Sequence, residues 1–279
     1  MNLASLLGKE FDMQVVVCAM AKNEQRYINE WVNYYLSIGV DKIFLYDNGN
    51  KPDNISNYID RLDGVEIFDI RDVSGKHLQQ KIYTNFYREY NSTFDWCLFC
   101  DIDEFLDGVK DIKKWLSTIN APQVRIRWRL FGDDGIIERN TYKVYGEFKQ
   151  VIRESLHRNL IYKGDLEIQG KFILKGGLSN VYISSPHFAS YESRDNVIPS
   201  VLPSGRDCFN SGVRIRDNYV HETIYLNHYM TKTLKEFVEQ KLNRNDAVYN
   251  QALKIDYFWR INKRTKEKED YLKNLGLDI

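Results

Sequence analysis

Four short apolar runs in the first hundred residues, 14–20, 41–46, 65–70 and 94–100, are separated by stretches whose apolar residues recur at helical spacing. A continuous apolar run of strand length needs cover on both faces, and helices crossing between successive strands supply it in a parallel, doubly wound sheet. The helical stretches are 24–37, where Tyr27, Ile28, Trp31, Tyr34, Tyr35 and Ile38 share a face, a short one at 54–62, and 77–90. Sheets of this kind bind ligands beyond the carboxyl ends of their strands. Polar clusters fall at that edge: Lys22-Asn23-Glu24 after the first run, Asp47-Asn48 after the second, Arg71-Asp72 after the third and Asp101-Ile102-Asp103 after the fourth. Asn23 also reads as a helix cap and Asp47-Asn48 as turn chemistry. Convergence of all four clusters on one edge is what points to a site.

The fourth cluster is the most specific. A buried strand that ends in Asp101 and Asp103 presents two hard oxygen ligands, which suits Mg²⁺ or Mn²⁺ holding a diphosphate. Lysine plus arginine balance aspartate plus glutamate at 39 each, so the global basic field of a nucleic-acid binder is missing and no nucleic-acid partner is expected. Cys97 and Cys100 form a Cys-x-x-Cys, but the strand pattern sends them to opposite faces; with Cys18 and Cys208 they read as buried, reduced thiols. No run approaches the roughly 20 apolar residues of a membrane span, and Lys9, Glu10 and Asp12 interrupt the start, so a cytoplasmic location is expected.

Beyond residue 105 the pattern changes. Residues 111–119 read as a helix. In 123–131 apolar Val124, Ile126, Trp128 and Leu130 alternate with Arg125, Arg127 and Arg129, the period of a half-exposed strand with a basic outer face. Residues 132–220 are rich in Gly, Ser and Asn, with β-like runs at 170–174 and 180–183. Helices are expected at 233–242 and 250–275, the second basic at Lys254, Arg260, Lys263, Arg264, Lys266 and Lys268. The expected division is a catalytic domain over 1–232 and a helical extension over 233–279 packed on it. The basic helix suits peripheral contact with an anionic inner membrane leaflet.

An ordered set of motifs carries a family resemblance: Ala21-Lys22-Asn23-Glu24, Trp31-Val32-Asn33-Tyr34-Tyr35, Gly39-Val40-Asp41-Lys42, Tyr46-Asp47-Asn48, Asp101-Ile102-Asp103-Glu104-Phe105, Trp128-Arg129-Leu130-Phe131-Gly132, Pro186-His187 and Asn227-His228-Tyr229 with Thr231-Lys232 and Lys241. Over residues 14–245 the chain resembles glycosyltransferase family 92 and the neighbouring family-2-like bacterial glycosyltransferases. The resemblance implies a GT-A fold, that is, a Rossmann-like α/β fold with a mixed, mainly parallel sheet flanked by helices. It also implies a nucleotide-sugar donor, a divalent metal and inversion at the anomeric carbon.

On that resemblance Asp101 meets the ribose or the metal through water, Asp103 ligates the metal, and Glu104 supports both from behind or faces the acceptor. His228 is the further metal candidate; imidazole favours Mn²⁺ over Mg²⁺. Lys22, Asn23, Glu24, Asp47, Asn48, Gln80, Ile102, Tyr229 and Lys232 fall to the donor, and Trp128 and His187 to the acceptor. The general base stays open among Asp165, Glu167, Glu192, Asp195 and Glu222. The expected reaction moves a hexose, with galactose from UDP-galactose the leading choice, to a glycan or lipid-linked glycan in bacterial surface-polysaccharide or lipopolysaccharide synthesis. A nucleotidyltransferase or sugar-phosphate pyrophosphorylase would want a glycine-rich phosphate loop after the first strand, and residues 21–24 contain no glycine. A non-catalytic carbohydrate-binding protein is the other rival.

Overall fold

The computed structural model describes residues 13–147, 169–192, 198–211, 214–216, 222–242 and 253–277. Strands β1 (Val15–Ala21), β2 (Lys42–Asp47), β3 (Val65–Asp69) and β4 (Trp96–Phe99) fall on the four apolar runs. Helices α1 (Ile28–Ser37) and α2 (Leu78–Tyr90) lie between them. Helix α1 starts later than the periodicity suggests, because Tyr27 and Ile28 both donate to the Glu24 carbonyl and residues 24–27 form a turn. The stretch at 54–62 yields only a 3₁₀ turn, Ile55–Tyr58, capped by the Asn54 side chain.

The remaining strands are β5 (Glu104–Asp107), β6 (Gln123–Leu130), β7 (Gly170–Lys175), β8 (Val181–Ser185), β9 (Phe188–Tyr191), β10 (Ser200–Val201), β11 (Phe209–Ser211), β12 (Arg214–Arg216) and β13 (Tyr225–His228). Nine of the strands form one sheet in the order β3-β2-β1-β4-β7-β6-β13-β5, with β10 on β6; β8-β9 and β11-β12 are separate hairpins. Strands β3, β2, β1 and β4 run parallel, as do β6, β13 and β10, while β7 and β5 run antiparallel to their neighbours. The architecture is thus the mixed, mainly parallel one, in place of a purely doubly wound sheet. Strand β7 is the wedge: it pairs with β4 on one side and β6 on the other, so the carboxyl ends of β1, β4, β6 and β13 share an edge.

The sheet separates two apolar layers. Trp31, Val32 and Tyr35 of α1 pack with Val15, Val17 and Leu98 on one face; Tyr83, Phe86 and Tyr87 of α2 pack with Val16, Cys18 and Phe99 on the other. Cys97 and Cys100 do lie on opposite faces, and all four cysteines are buried and outside any disulfide. Burial pushes the Cys97 and Cys100 thiols well above their usual range, which disfavours the reactive thiolate.

Two expectations need correction. Strand β6 is not half-exposed: it lies inside the sheet, Arg125 is fully buried with its guanidinium 5.2 Å from the Phe188 ring, and Arg129 pairs with Asp107 at 2.9 Å. Burial lowers the Arg125 guanidinium to about 10. The basic stretch 250–275 is not one helix either. Helix α3 (Ile112–Leu116) and α4 (Leu234–Gln240) are followed by α5 (Ile255–Trp259) and α6 (Lys266–Asn274), the last restarted by Thr265, whose hydroxyl accepts from Lys268 N. Its Lys268 turns inward to Asp133 and the Lys263 carbonyl, so part of the basic run is internal. Leu234, Phe237, Phe258 and Leu272 give the described carboxyl-terminal helices a core of their own. Among the described residues no helix is long and apolar enough to cross a membrane.

Gly170 opens β7 where a Cβ would stand 1.7 Å from the Ile126 carbonyl oxygen. Because backbone must move to relieve that overlap, Gly170→Ala is expected to cost about 3 kcal/mol, the upper end of overpacking penalties. Urea unfolding monitored by circular dichroism checks this; an unchanged midpoint would mean that β7 does not sit this close to β6.

Candidate active site

A cavity of about 270 Å³ opens at the shared carboxyl edge, lined by Met20, Lys22 and Glu24 from the end of β1 and the loop after it, Gln79 from α2, Asp101, Ile102 and Asp103 after β4, Trp128 from β6, His228 and Met230 at the end of β13, and Lys241, Leu253 and Tyr257 from the carboxyl-terminal part. Register explains how distant residues meet here. Phe99 faces Phe172 in the antiparallel β4–β7 pair, which sets Lys171 beside the exit of β4; its ammonium reaches Asp101 Oδ2 at 2.8 Å. Antiparallel β5–β13 pairing places His228 opposite Glu104, and Tyr229 N donates to the Asp103 carbonyl at 2.9 Å.

Glu104 holds the carboxylate turn in shape. Its Oε2 accepts from Asp101 N at 2.8 Å and its Oε1 from the Trp128 indole at 2.7 Å, while its backbone carbonyl accepts from Trp31 and Tyr35. The side chain is completely buried, and burial pushes its carboxyl well above the ordinary range against the opposing pull of Lys171.

Asp101 and Asp103 behave in the opposite sense. Burial raises the Asp101 carboxyl, but the Lys171 ammonium, with hydrogen bonds from Lys171 and from Gln79 Nε2 at 2.6 Å, leaves it below the usual value. For Asp103, burial is outweighed by Lys241, whose Nζ lies 2.6 Å from Oδ2, and by His228, whose Nε2 lies 3.4 Å from Oδ1; the carboxyl ends well below the usual range. Glu24 is matched likewise, by Lys232 at 2.9 Å, itself buried and 4.3 Å from the Tyr27 ring centroid.

Among the described residues no three His, Cys, Asp or Glu side chains gather as a ready cage for a metal. Mg²⁺ and Mn²⁺ seldom use such a cage; one or two protein ligands complete their octahedron with substrate phosphates and water. A carboxylate oxygen and an imidazole nitrogen 3.4 Å apart are spaced close to adjacent ligands in a shell of 2.1 Å radius, which stand about 3 Å apart. The Asp103–His228 pair therefore fits two metal positions, and among the described residues the buried His228 Nδ1 has no hydrogen-bond partner, the Glu104 carboxylate standing 3.8 Å away. Asp101 is engaged by Lys171 and Gln79.

Other expected site residues are placed elsewhere. Asp47 accepts from Gly49 N and Ile55 N, Asn48 donates to the Ile70 and Val73 carbonyls, and Asn23, at φ 58°, accepts from Asn50 N; all three hold the loops and none lines the cavity. Gln80 lines a separate groove beside Lys81 and Arg88, and its neighbour Gln79 is the residue that reaches Asp101. The Tyr229 ring stacks on Phe131 and its hydroxyl accepts from Gly146 N. Trp128 lines the cavity but is only 6% exposed, its ring between His187 and His228. His187 donates from Nδ1 to the Gly170 carbonyl, and burial, helped by Lys171, lowers it to about 3, so the ring is neutral. Among the open base candidates, Glu192 pairs with Arg88 and Glu222 holds Ser204 and Arg206, neither in the cavity lining. Asp165, Glu167 and Asp195 lie outside the described residues.

Comparison with known proteins follows the same line. Over 133 residues the chain is 29% identical to a curated Ricinus communis protein, covering 44% of this chain and 24% of that one. A second relative, from Oryza sativa subsp. japonica, is 32% identical over 91 residues, 32% of this chain and 15% of that one. Both relatives are glycosyltransferase family 92 proteins. The resemblance read from the motifs thus holds, over a quarter or less of the length of each relative. No family model matches the chain. Distant likenesses among solved structures include S. aureus TarS 1–349 in complex with UDP (12% identity, TM-score 0.36, 58% of this chain and 47% of that chain) and mannosyl-3-phosphoglycerate synthase from Rubrobacter xylanophilus (13%, 0.33, 58% and 53%).

Two expectations concern the carboxyl groups. Glu104→Ala removes the acceptor of the Asp101 N–H and the Trp128 indole and is expected to destabilise the fold by about 2–6 kcal/mol, at about 1–3 kcal/mol for each donor left unpaired; a loss under about 1 kcal/mol by urea unfolding would contradict its bridging role. Asp101 and Asp103 have folded pKa values below the unfolded value of 3.8. Their stabilisation is therefore complete above that value and is lost as pH falls through the lower folded values. Unfolding midpoints in EDTA from about pH 6 to about pH 2.5 should fall more steeply for wild type than for Asp103→Asn.

Proposed function

We propose that this chain is a metal-dependent glycosyltransferase that moves a hexose, with galactose from UDP-galactose the leading choice, to a glycan acceptor with inversion. The observation that carries this reading is the Asp103–His228 pair at the carboxyl edge of the sheet, in a cavity walled by Glu24, Asp101 and the ammonium groups of Lys22 and Lys241. The family 92 relatives support the same reaction class.

Cleavage of the bond between the sugar C1 and a UDP leaving group develops negative charge on the β-phosphate, and groups fixed in advance at that point lower the barrier most. A divalent cation held by Asp103 and His228 would supply neutralising charge for the diphosphate. The chain's own residues prepare the setting. Lys171 and Lys232, each 1% exposed, hold the Asp101 and Glu24 side chains in place. Glu104 and Trp128 hold the turn that carries Asp101 and Asp103. Lys22 and Lys241 add positive charge on the wall where an anionic leaving group would lie. Met20, Ile102, Met230 and Tyr257 give the cavity an apolar side that limits water near the reacting centre.

Thermal melting against UDP-, GDP- and CMP-sugars, with and without Mn²⁺, tests the reading. UDP-sugars are expected to raise the melting temperature and to require Mn²⁺ for the full effect. Asp103→Ala is expected to abolish that Mn²⁺-dependent shift and to cut turnover by about 10²–10³-fold, the scale of losing one electrostatic group of an active site. Stabilisation by UDP-sugars that ignores both Mn²⁺ and this substitution would remove the metal from the account.

A further inference from the structure

Three lysines pair with three carboxylates of the cavity wall, and one of them differs from the others. Lys171 on Asp101 and Lys232 on Glu24 are each 1% exposed. Lys241 on Asp103 is 15% exposed and lines the cavity. Its backbone is fixed as the residue that closes α4, where its N–H donates to the Phe237 carbonyl. The start of α4 is secured by the Thr233–Glu236 capping box and its inner face by buried Leu234 and Phe237. The ammonium thus sits on a flexible four-carbon stem with a rigid base. It bonds Asp103 Oδ2 at 2.6 Å and the Met230 carbonyl at 2.5 Å, while Asp103 Oδ1 faces His228 Nε2 at 3.4 Å.

We propose that Lys241 is a displaceable counter-ion of Asp103: its ammonium holds the carboxylate when the site is empty of donor, and turns to the donor diphosphate when a divalent cation takes Asp103. The inference rests on the nucleotide-donor reading above. An ammonium and a divalent cation repel each other at hydrogen-bond range, so both cannot sit on one carboxylate without cost. Bringing in the cation alone takes the Asp103 carboxylate from Lys241 and leaves its charge beside the cation. Bringing in the cation with a diphosphate gives Lys241 a new anionic partner, at which lysine serves as a point charge. Lys241 therefore penalises metal without nucleotide and rewards the two together, which is a positive coupling between the two ligands. Lys171 and Lys232, enclosed and held by separate carboxylates, do not exchange. The residue acts on donor binding by this exchange and is a positioning and specificity element for the loaded site.

The test measures Mn²⁺ and UDP binding separately by calorimetry, on wild type, Lys241→Met and Lys241→Arg, with melting curves to establish that each variant is folded. Lys241→Met is expected to bind Mn²⁺ alone about tenfold more tightly and to bind UDP at saturating Mn²⁺ about tenfold more weakly, changes of opposite sign and about 1.4 kcal/mol each. Lys241→Arg should restore both toward wild type. Unchanged Mn²⁺ affinity in folded Lys241→Met, or unchanged UDP affinity, overturns the exchange while leaving the donor reading intact. Failure of wild type to bind UDP under any condition overturns the donor reading and the exchange with it. Should Lys241→Met not fold, Lys241→Gln takes its place with the same expected signs, and a crystal grown with Mn²⁺ and UDP decides directly: Lys241 Nζ still on Asp103 Oδ2 overturns the proposal.

Discussion

Carboxylates crowded at the edge of a sheet, Asp103 and Glu104 buried and Asp101 partly so, need matching groups, and the cavity is arranged around that requirement. An ionised acid stripped of water and left alone costs several kcal/mol, so it either acquires a cation or takes up a proton. Both tendencies occur within a few residues of each other. Asp101, Asp103 and Glu24 have lysines. Glu104, whose carboxylate accepts from the Asp101 N–H and the Trp128 indole, is pushed up by burial toward the neutral acid. Adjacent acids in one short turn are thus pushed in opposite directions, set by what the neighbouring strands bring to them.

The cations come from far away in sequence. Lys171 rides in on the antiparallel wedge β7, Lys232 follows β13, and Lys241 closes α4. None of the three shares an element with the acid it meets. The site consequently depends on the mixed character of the sheet: a purely parallel succession of the first four strands would supply the aspartates without their partners.

Much of the fold was legible because it is local. Strand-length apolar runs and helical spacing place β1 to β4, α1 and α2, and Asp101 and Asp103 at a strand end follow from reading where a run stops. What escaped depends on register and phase. The alternation in β6 looked half-exposed because arginine usually marks a solvent face, yet Arg125 is buried over Phe188. A helix beginning at Leu78 turns Gln79, not Gln80, to Asp101, a difference of one position that composition does not reveal. Thr265 before Lys266 carried a stop-and-restart signal within the basic stretch, as a hydroxyl residue that caps a helix start. Asp47, Asn48 and Asn23 did converge on the expected edge, but their side chains bond the loops rather than the cavity.

The wedge position of β7 has a bearing on how the chain reaches its native state. Strands β4 and β6 do not pair with each other; both pair with a segment that arrives dozens of residues later and must slide between them with its glycine against the Ile126 carbonyl. Such non-local insertion makes for slow assembly, since loop closure precedes the contacts that reward it. During synthesis the leading half therefore emerges with two unpaired strand edges and an acidic turn that lacks its lysines, a state exposed to mispairing until β7 locks in.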